Sequence, residues 1–488
     1  MIDLTINPAG LARAVDRARE RGVIIPTFAQ QKDPSQIPAS IRARLAKIGL
    51  WDLDPTNLFR ISWKNEPIES GGGFGPVNYM ELPSSLTGVP ARIIAVVGKW
   101  FPTGAHKVGA TFGCLAPRLV TGQFDPSTQK AVWPSTGNYC RGGAYNATLL
   151  GCESIAILPE EMSQERFEWL KTVSGEIIAT PGSESNVKEI FDKCWELRAT
   201  RDDIVIFNQF EEFGNHLWHY AVTGGAMADV LERELGPNDT LRGLAVTTGS
   251  AGTIGCGDYL KELFPSCKVA ASEALQCPTL LENGYGAHRI EGIGDKHVPW
   301  IHNLHNTDMV VAIDDEACIS LARLFNEPAG RQYLVKQGVP EELVEQLDTL
   351  GISCIANMLT SIKMAKWYEL GEEDVILTVF TDSMELYQSR LRELRQTRGD
   401  YTEADAIADY HRYLRGCTVD YVEELGYRDQ KRIHNLKYFT WVEQQGKSYD
   451  EIMDQWYKPD YWSSIHGQID EIDALIDEFN DRTGLLAD

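Results

Sequence analysis

The chain has 488 residues, 43% hydrophobic and 24% charged, enough to bury a sizeable core in more than one domain. Its 46 Lys and Arg against 70 Asp and Glu leave a net charge of −24. That charge repels phosphate backbones and anionic membranes, so nucleic acid is not an expected partner. Ten cysteines stand singly without a C-x-x-C pair, which argues against a zinc cluster or a disulfide scaffold and suits a reducing compartment. The opening Met1-Ile2-Asp3-Leu4-Thr5 lacks the basic start and apolar run of a signal peptide, and no stretch approaches a membrane span. A cytoplasmic protein without membrane contact is expected.

In chain order, residues 1 to about 75 read as a leader with two short helices, near Leu11–Arg21 and Pro38–Ile48, closed by the hinge Gly71-Gly72-Gly73-Phe74-Gly75. Short apolar runs follow at Arg92–Val97, Lys130–Trp133, Ser154–Leu158, Glu176–Ala179, Ile204–Phe207, Gly243–Thr247, Lys268–Ala271, Met309–Ile313 and Val375–Phe380. Helical stretches alternate with them, among them Gly142–Leu150, Arg166–Thr172, Val187–Arg198, Leu217–Leu235 and Glu316–Phe325. This rhythm predicts an α/β fold of mostly parallel, helix-covered sheets, with ligands at the carboxyl ends of the strands. After Arg395 the strand signal fades, and the rest, rich in Tyr, Trp and Glu, reads as helices.

Five loops after these strands could carry chemistry. Pro102-Thr103-Gly104-Ala105-His106-Lys107-Val108-Gly109 sets a lysine beside a helix N-terminus, where the positive dipole end lowers its pKa and makes its amine a better nucleophile. A lone Gly-x-x-Lys reads first as an ordinary first-turn surface lysine. Pro134-Ser135-Thr136-Gly137-Asn138-Tyr139 offers hydroxyls, amides and a carboxamide that can hold a carboxylate, or simply makes a turn and N-cap. Thr247-Thr248-Gly249-Ser250-Ala251-Gly252-Thr253-Ile254-Gly255 exposes successive N–H groups at a helix start, a cup for phosphate, though without a Walker lysine it could be a tight turn. In Arg289-Ile290-Glu291-Gly292-Ile293-Gly294-Asp295 the glycines permit close approach to a flat ligand or simply make a turn, and in Gly351-Ile352-Ser353-Cys354 a hydroxyl or thiol could meet a ring nitrogen or be a buried helix start.

In order and spacing the five segments resemble the pyridoxal-phosphate (PLP) enzymes of the tryptophan-synthase-β fold type, fold type II, above all the cysteine synthase and cystathionine β-synthase branch. The resemblance runs from about Val77 to Leu391. It implies two open, twisted, mostly parallel sheets with helices on both faces and the cofactor in the cleft between domains. The expected division is a leader at 1–75, a PLP-binding core at 76–395 with a smaller subdomain at about 112–212, and an α-helical C-terminal extension at 396–488.

By this resemblance Lys107 forms the Schiff base and then shuttles the substrate proton, with His106 beside the cofactor. Ser135, Thr136 and Gly137 bind the substrate carboxylate, with Tyr139, Gln209 and Glu291 also at the substrate. Asn138 bonds the cofactor's phenolic oxygen, Thr248, Gly249, Ser250, Ala251, Gly252 and Thr253 hold its phosphate, Gly292 borders the reacting carbon, and Ser353 and Cys354 lie at the ring nitrogen. A neutral partner there leaves the pyridine unprotonated, which suits β-elimination through an aminoacrylate more than transamination. The implied function is β-replacement on the β-carbon of a small amino acid with a thiol-like nucleophile, without a metal, in a homodimer. Alternatives are a β-eliminating lyase of the serine or threonine dehydratase kind, a PLP-fold binding protein without turnover, and a nucleotide-binding α/β protein. The lysine loop reads like tryptophan synthase β and the Ser-Thr-Gly-Asn loop like cysteine synthase, while Tyr139 replaces a small threonine of cysteine synthases.

Overall fold

The apolar runs form two sheets in the computed structural model, which describes residues 1–67, 72–135, 137–182 and 186–486. Gly71 of the hinge and Thr136 of the carboxylate loop lie outside the described residues. The larger sheet contains β1 (Tyr79–Leu82), β2 (Arg92–Val97), β7 (Thr240–Thr247), β8 (Lys268–Ala274), β9 (Met309–Ile313), β10 (Asp374–Phe380) and β11 (Val422–Glu424), in the order β1-β2-β10-β7-β8-β9-β11. The smaller sheet, β5-β4-β3-β6, contains β3 (Lys130–Pro134), β4 (Glu153–Pro159), β5 (Glu176–Thr180) and β6 (Ile204–Ile206). Strands covered on both faces need unbroken apolar sequence, and β9 (MVVAI) is buried at all five positions.

All nine strands expected from the sequence are present, and every pairing among them is parallel. Two strands were not expected. β1 and β11 close the two edges of the large sheet antiparallel to β2 and β9. Val422–Glu424 lies in the tail that reads as helical; three residues carry too little periodicity to register as a strand, and its place is set by the open edge of β9. The expected Leu217–Leu235 helix spans Phe213–Glu234 and contains a π-helical segment at His219–Thr223.

Leader and extension pack as parts of the same core. Helix Pro8–Arg21 starts at Asn7, whose side chain accepts from Gly10 N, and ends at left-handed Gly22. Asn480 in the last helix (Gln468–Thr483) exchanges two hydrogen bonds with the Ile25 backbone, at 2.9 and 2.8 Å. Asp473 accepts from Phe28 N and Ala29 N at 2.7 and 3.0 Å, so a carboxylate caps the short helix Phe28–Lys32 from across the sequence. Gln31 accepts from Trp218 Nε1 at 2.8 Å, tying the leader to the helix Phe213–Trp218.

The architecture turns the strand ends toward one another. The loops after β2, β3, β6, β7 and β10 deliver Lys107, Ser135, Gln209, Gly249 and Thr381 to one cavity, as the carboxyl-end rule for open parallel sheets requires.

Candidate active site

Lys107 is the first residue of helix Lys107–Val120, and the loop before it is tightly held. Thr103 and Gly104 both take positive φ, 71° and 69°. His106 N donates to Thr381 O at 3.0 Å, anchoring the loop to the end of β10. The Lys107 amine donates to Ser250 Oγ at 2.8 Å and faces the cavity. Burial lowers its pKa to about 8, partly countered by the negative charge of Asp295. A fraction of neutral amine therefore exists near neutral pH, as a nucleophile requires.

Opposite the amine, the turn between β7 and helix Ile254–Leu263 forms the expected cup. Among the described residues, the N–H groups of Gly249, Ser250, Ala251 and Thr253 donate to no protein acceptor. Asn215 Nδ2 fixes Ser250 Oγ at 2.9 Å. A Cβ at Gly252 would stand 2.1 Å from Asn215 Oδ1, so only glycine lets the turn close this far. Thr248 points the other way, its N–H and hydroxyl both bonded to Ser272 O at 2.7 and 2.9 Å.

The loop after β3 supplies the second wall. Ser135 Oγ accepts from Gly137 N at 3.1 Å and from Gln209 Nε2 at 3.4 Å. A Cβ on Gly137 would meet Arg166 Nη1 at 2.4 Å, so this glycine lets a buried guanidinium lie directly behind the loop. Asn138 Nδ2 donates to Asp382 Oδ2 at 2.6 Å while its Oδ1 is buried without a partner. Tyr139 lines the cavity and sends its hydroxyl to Cys114 Sγ at 3.5 Å, behind the Lys107 helix. Glu291 is ion-paired at both oxygens, to Arg166 at 2.7 Å and Arg390 at 2.6 Å, and is not among the cavity-lining residues.

At the far end Ser353 Oγ and Thr381 Oγ1 line the cavity 3.2 Å apart. Cys354 sits behind them, its Sγ 3.3 Å from Asp382 O, and burial pushes the thiol up to about 12. The Ser353 and Thr381 hydroxyls face the cavity here, beside the Asn357 carboxamide, which is bonded to Thr247 N and Val379 O.

The cavity measures about 670 Å³ with its mouth and unites His106, Lys107, Ser135, Asn138, Tyr139, Gln209, Gly249 to Thr253, Gly292 and Ser353. Sequence reasoning missed Asn215, Thr381 and Asp382, single polar residues with no motif around them. Asp295 closes the Arg289–Asp295 segment, and its local sequence signals no role for it. It lines the cavity with Oδ2 free of any hydrogen bond, and burial pushes its carboxyl up to about 7 against the pull of Lys107. One described cluster, His216, Asp258 and His466, has metal-ligand side chains. Its imidazoles meet Nε2 to Nε2 at 3.0 Å, ring planes 4° apart and centroids 5.3 Å apart. Both Nε2 atoms also face Asp258 Oδ2, at 3.4 and 3.5 Å, and the two imidazoles hold the buried Asp258 carboxyl well below the usual carboxylate range.

The family model for pyridoxal-phosphate dependent enzymes matches residues 90–331, the span that contains Lys107 and the anion loop. Over these residues the chain is similar to the pyridoxal-phosphate dependent enzymes. Cystathionine β-synthase of Saccharomyces cerevisiae is 26% identical over 400 residues, 80% of this chain and 75% of its own length. A probable cysteine synthase of Bacillus subtilis is 29% identical over 289 residues, 59% of this chain and 85% of its own. A hydrogen sulfide-producing enzyme from Fusobacterium nucleatum superposes with a TM-score of 0.53 at 26% identity, covering 65% of this chain and 88% of its own. An Entamoeba histolytica cysteine synthase reaches a TM-score of 0.56 at 21% identity, covering 69% and 92%.

The residues present fit pyridoxal phosphate. Unpaired amides at a helix start suit its phosphate, the depressed amine of Lys107 its carbonyl carbon, and the Ser353–Thr381 hydroxyl pair an unprotonated ring nitrogen.

Proposed function

We propose that the chain catalyses β-replacement on a small amino acid, with Lys107 holding pyridoxal phosphate and moving the substrate's α-proton. The observation that carries this reading is the Lys107 amine, depressed by burial and bonded to Ser250 on the rim of a cup of unpaired amides. The similarity to a cystathionine β-synthase and a cysteine synthase supports it. Pyridoxal phosphate, when bound, supplies a sink for the electron pair left at Cα.

In this reading Gly249 to Thr253 hold the phosphate and Asn138 the phenolic oxygen. Ser135, Gly137 and Gln209 receive the substrate carboxylate, with Tyr139 bounding the side-chain pocket. Lys107 takes the proton from Cα at Nζ and returns it there once the nucleophile has bonded to Cβ. The hydroxyls at the ring nitrogen donate no full positive charge, which disfavours transamination. A thiol-like co-substrate, a homodimer, and the division at 1–75, 76–395 and 396–488 belong to the same reading. Among the described residues no helix is long and apolar enough to cross a membrane.

The test supplies cofactor-loaded protein with serine, cysteine or O-acetylserine, with and without a thiol. A visible absorbance band lost in Lys107→Ala, and a new thioether or thiol amino acid, are the expected results. Keto acid and ammonia alone would reassign the protein as an eliminating lyase. No cofactor absorbance would leave a binding protein of this fold.

A further inference from the structure

The Gly292–His302 segment carries a carboxyl that the scheme above leaves idle. Asp295 lines the cavity with Lys107, is buried, and has Oδ2 without a hydrogen-bond partner. An unpartnered buried carboxyl is costly, so a fold that keeps one in its ligand cavity points to a use for it. Its backbone is fixed on both sides. Thr279 Oγ1 donates to Asp295 O at 2.8 Å, and Gly294 N to Thr248 O at 3.1 Å.

Downstream, the same segment is gripped by the C-terminal extension. Trp441 Nε1 donates to Val298 O at 2.8 Å. Lys437 Nζ donates to Trp300 O at 2.9 Å, His302 O at 2.7 Å and Gln455 Oε1 at 2.8 Å. His297, two residues from Asp295, packs between Phe210 and Trp441 at centroid distances of 4.6 and 5.7 Å.

We propose that Asp295 is a second proton-transfer residue of this pocket, giving a proton to a departing hydroxyl or thiolate and then taking one from the incoming nucleophile, and that Lys437 and Trp441 position it. The step rests on the β-replacement reading, and its protons balance. In the first half Lys107 takes the Cα proton, the Cβ–O or Cβ–S bond breaks, and the leaving group departs with the Asp295 proton. In the second half the nucleophile's S–H or O–H proton passes to the Asp295 carboxylate and its electron pair bonds Cβ, while Lys107 returns the proton to Cα. A group that titrates near neutrality serves both directions, and Asp295, at about 7, does so. The ionisable groups around it are Lys107 across the cavity, Cys277 and His288 on the adjoining loop, and Lys296 and His297 beside it in sequence; Lys107 is the charge that shifts it.

The substrate class follows from the chemistry. Acetate leaves without a proton, whereas a hydroxyl or a thiolate benefits from one, so the carboxyl selects amino acids of the serine or cysteine type over an O-acyl ester.

The experiment compares cofactor-loaded wild type with Asp295→Asn on three substrates, and titrates the cofactor-free proteins by infrared spectroscopy. Asp295→Asn should slow water release from serine, or sulfide release from cysteine, by about 10²- to 10⁴-fold. Single-turnover acetate release from O-acetylserine should be almost unchanged; whichever of serine and cysteine reacts in wild type identifies the leaving group. The wild-type spectrum should contain a protonated carboxyl band that disappears as pH rises through about 7 and is missing in Asp295→Asn. Trp441→Phe, which removes the N–H donor to Val298 together with part of the ring packed on Phe191, His297 and Trp300, should move that titration and lower serine or cysteine turnover while sparing acetate release. Equal loss or equal retention on all three substrates, or absence of the carboxyl titration, would overturn the role of Asp295. An unmoved titration in Trp441→Phe would overturn the positioning role. A wild type without cofactor absorbance would instead sink the β-replacement reading, and the infrared titration would still judge the carboxyl separately.

Discussion

Lys437 and Lys107 are both enclosed by this fold, and their surroundings give them opposite characters. Lys437, in the extension, sends its amine to three acceptors, the Trp300 and His302 carbonyls and Gln455 Oε1, which use all three of its protons. Lys107, at the mouth of the core helix, has one neutral hydroxyl partner, Ser250, and a cavity on its other side. Burial depresses both amines. The difference lies in satisfaction: a fully bonded amine is a fastener, while an under-bonded one beside empty space is available for chemistry.

The largest expected effect comes from removing the available amine. Lys107→Ala should abolish turnover and the visible cofactor band while the circular dichroism of the fold stays unchanged, since a cavity-facing side chain carries little packing. Lys437→Met should do the reverse, leaving two buried carbonyls unpartnered and costing about 2 to 5 kcal/mol in denaturant unfolding. A Lys437→Met protein as stable as wild type would break the comparison.

Ser250→Ala sharpens it at the ligand. Losing the hydroxyl that meets both Lys107 and Asn215 should weaken cofactor binding by about 1 to 2 kcal/mol, read by equilibrium dialysis. The smallest effect is on pH. Lys107 must be neutral to react, so the rate at which it takes up pyridoxal phosphate should rise with pH through about 8 and level off above. Asp295 raises that value, so in Asp295→Asn the rise should begin at lower pH.

Much of this site is legible in the amino-acid sequence alone. Lys107, Asn138 and Gly249 to Thr253 stand in loops whose glycines and hydroxyls follow apolar strands, and local sequence carries that signal. Asn215, Thr381 and Asp382 were invisible because each is one polar residue brought in by tertiary packing from a distant helix or strand end. Glu291 illustrates a different limit. Its motif announces a functional loop, yet Arg166 and Arg390, 125 and 99 residues away, claim both of its oxygens. The leader and tail read as additions to the core because nothing local tells that Asn480 will pair with Ile25, or that Trp441 will reach Val298. The edge strand Val422–Glu424 was hidden for the same reason, its pairing being supplied by β9.

The most direct test is borohydride reduction of the cofactor-loaded protein followed by peptide mass mapping. The expected result is a cofactor-sized mass increment on the peptide containing Lys107 and on no other; an increment on Lys437, or on no lysine at all, would contradict the assignment of Lys107 as the cofactor's anchor.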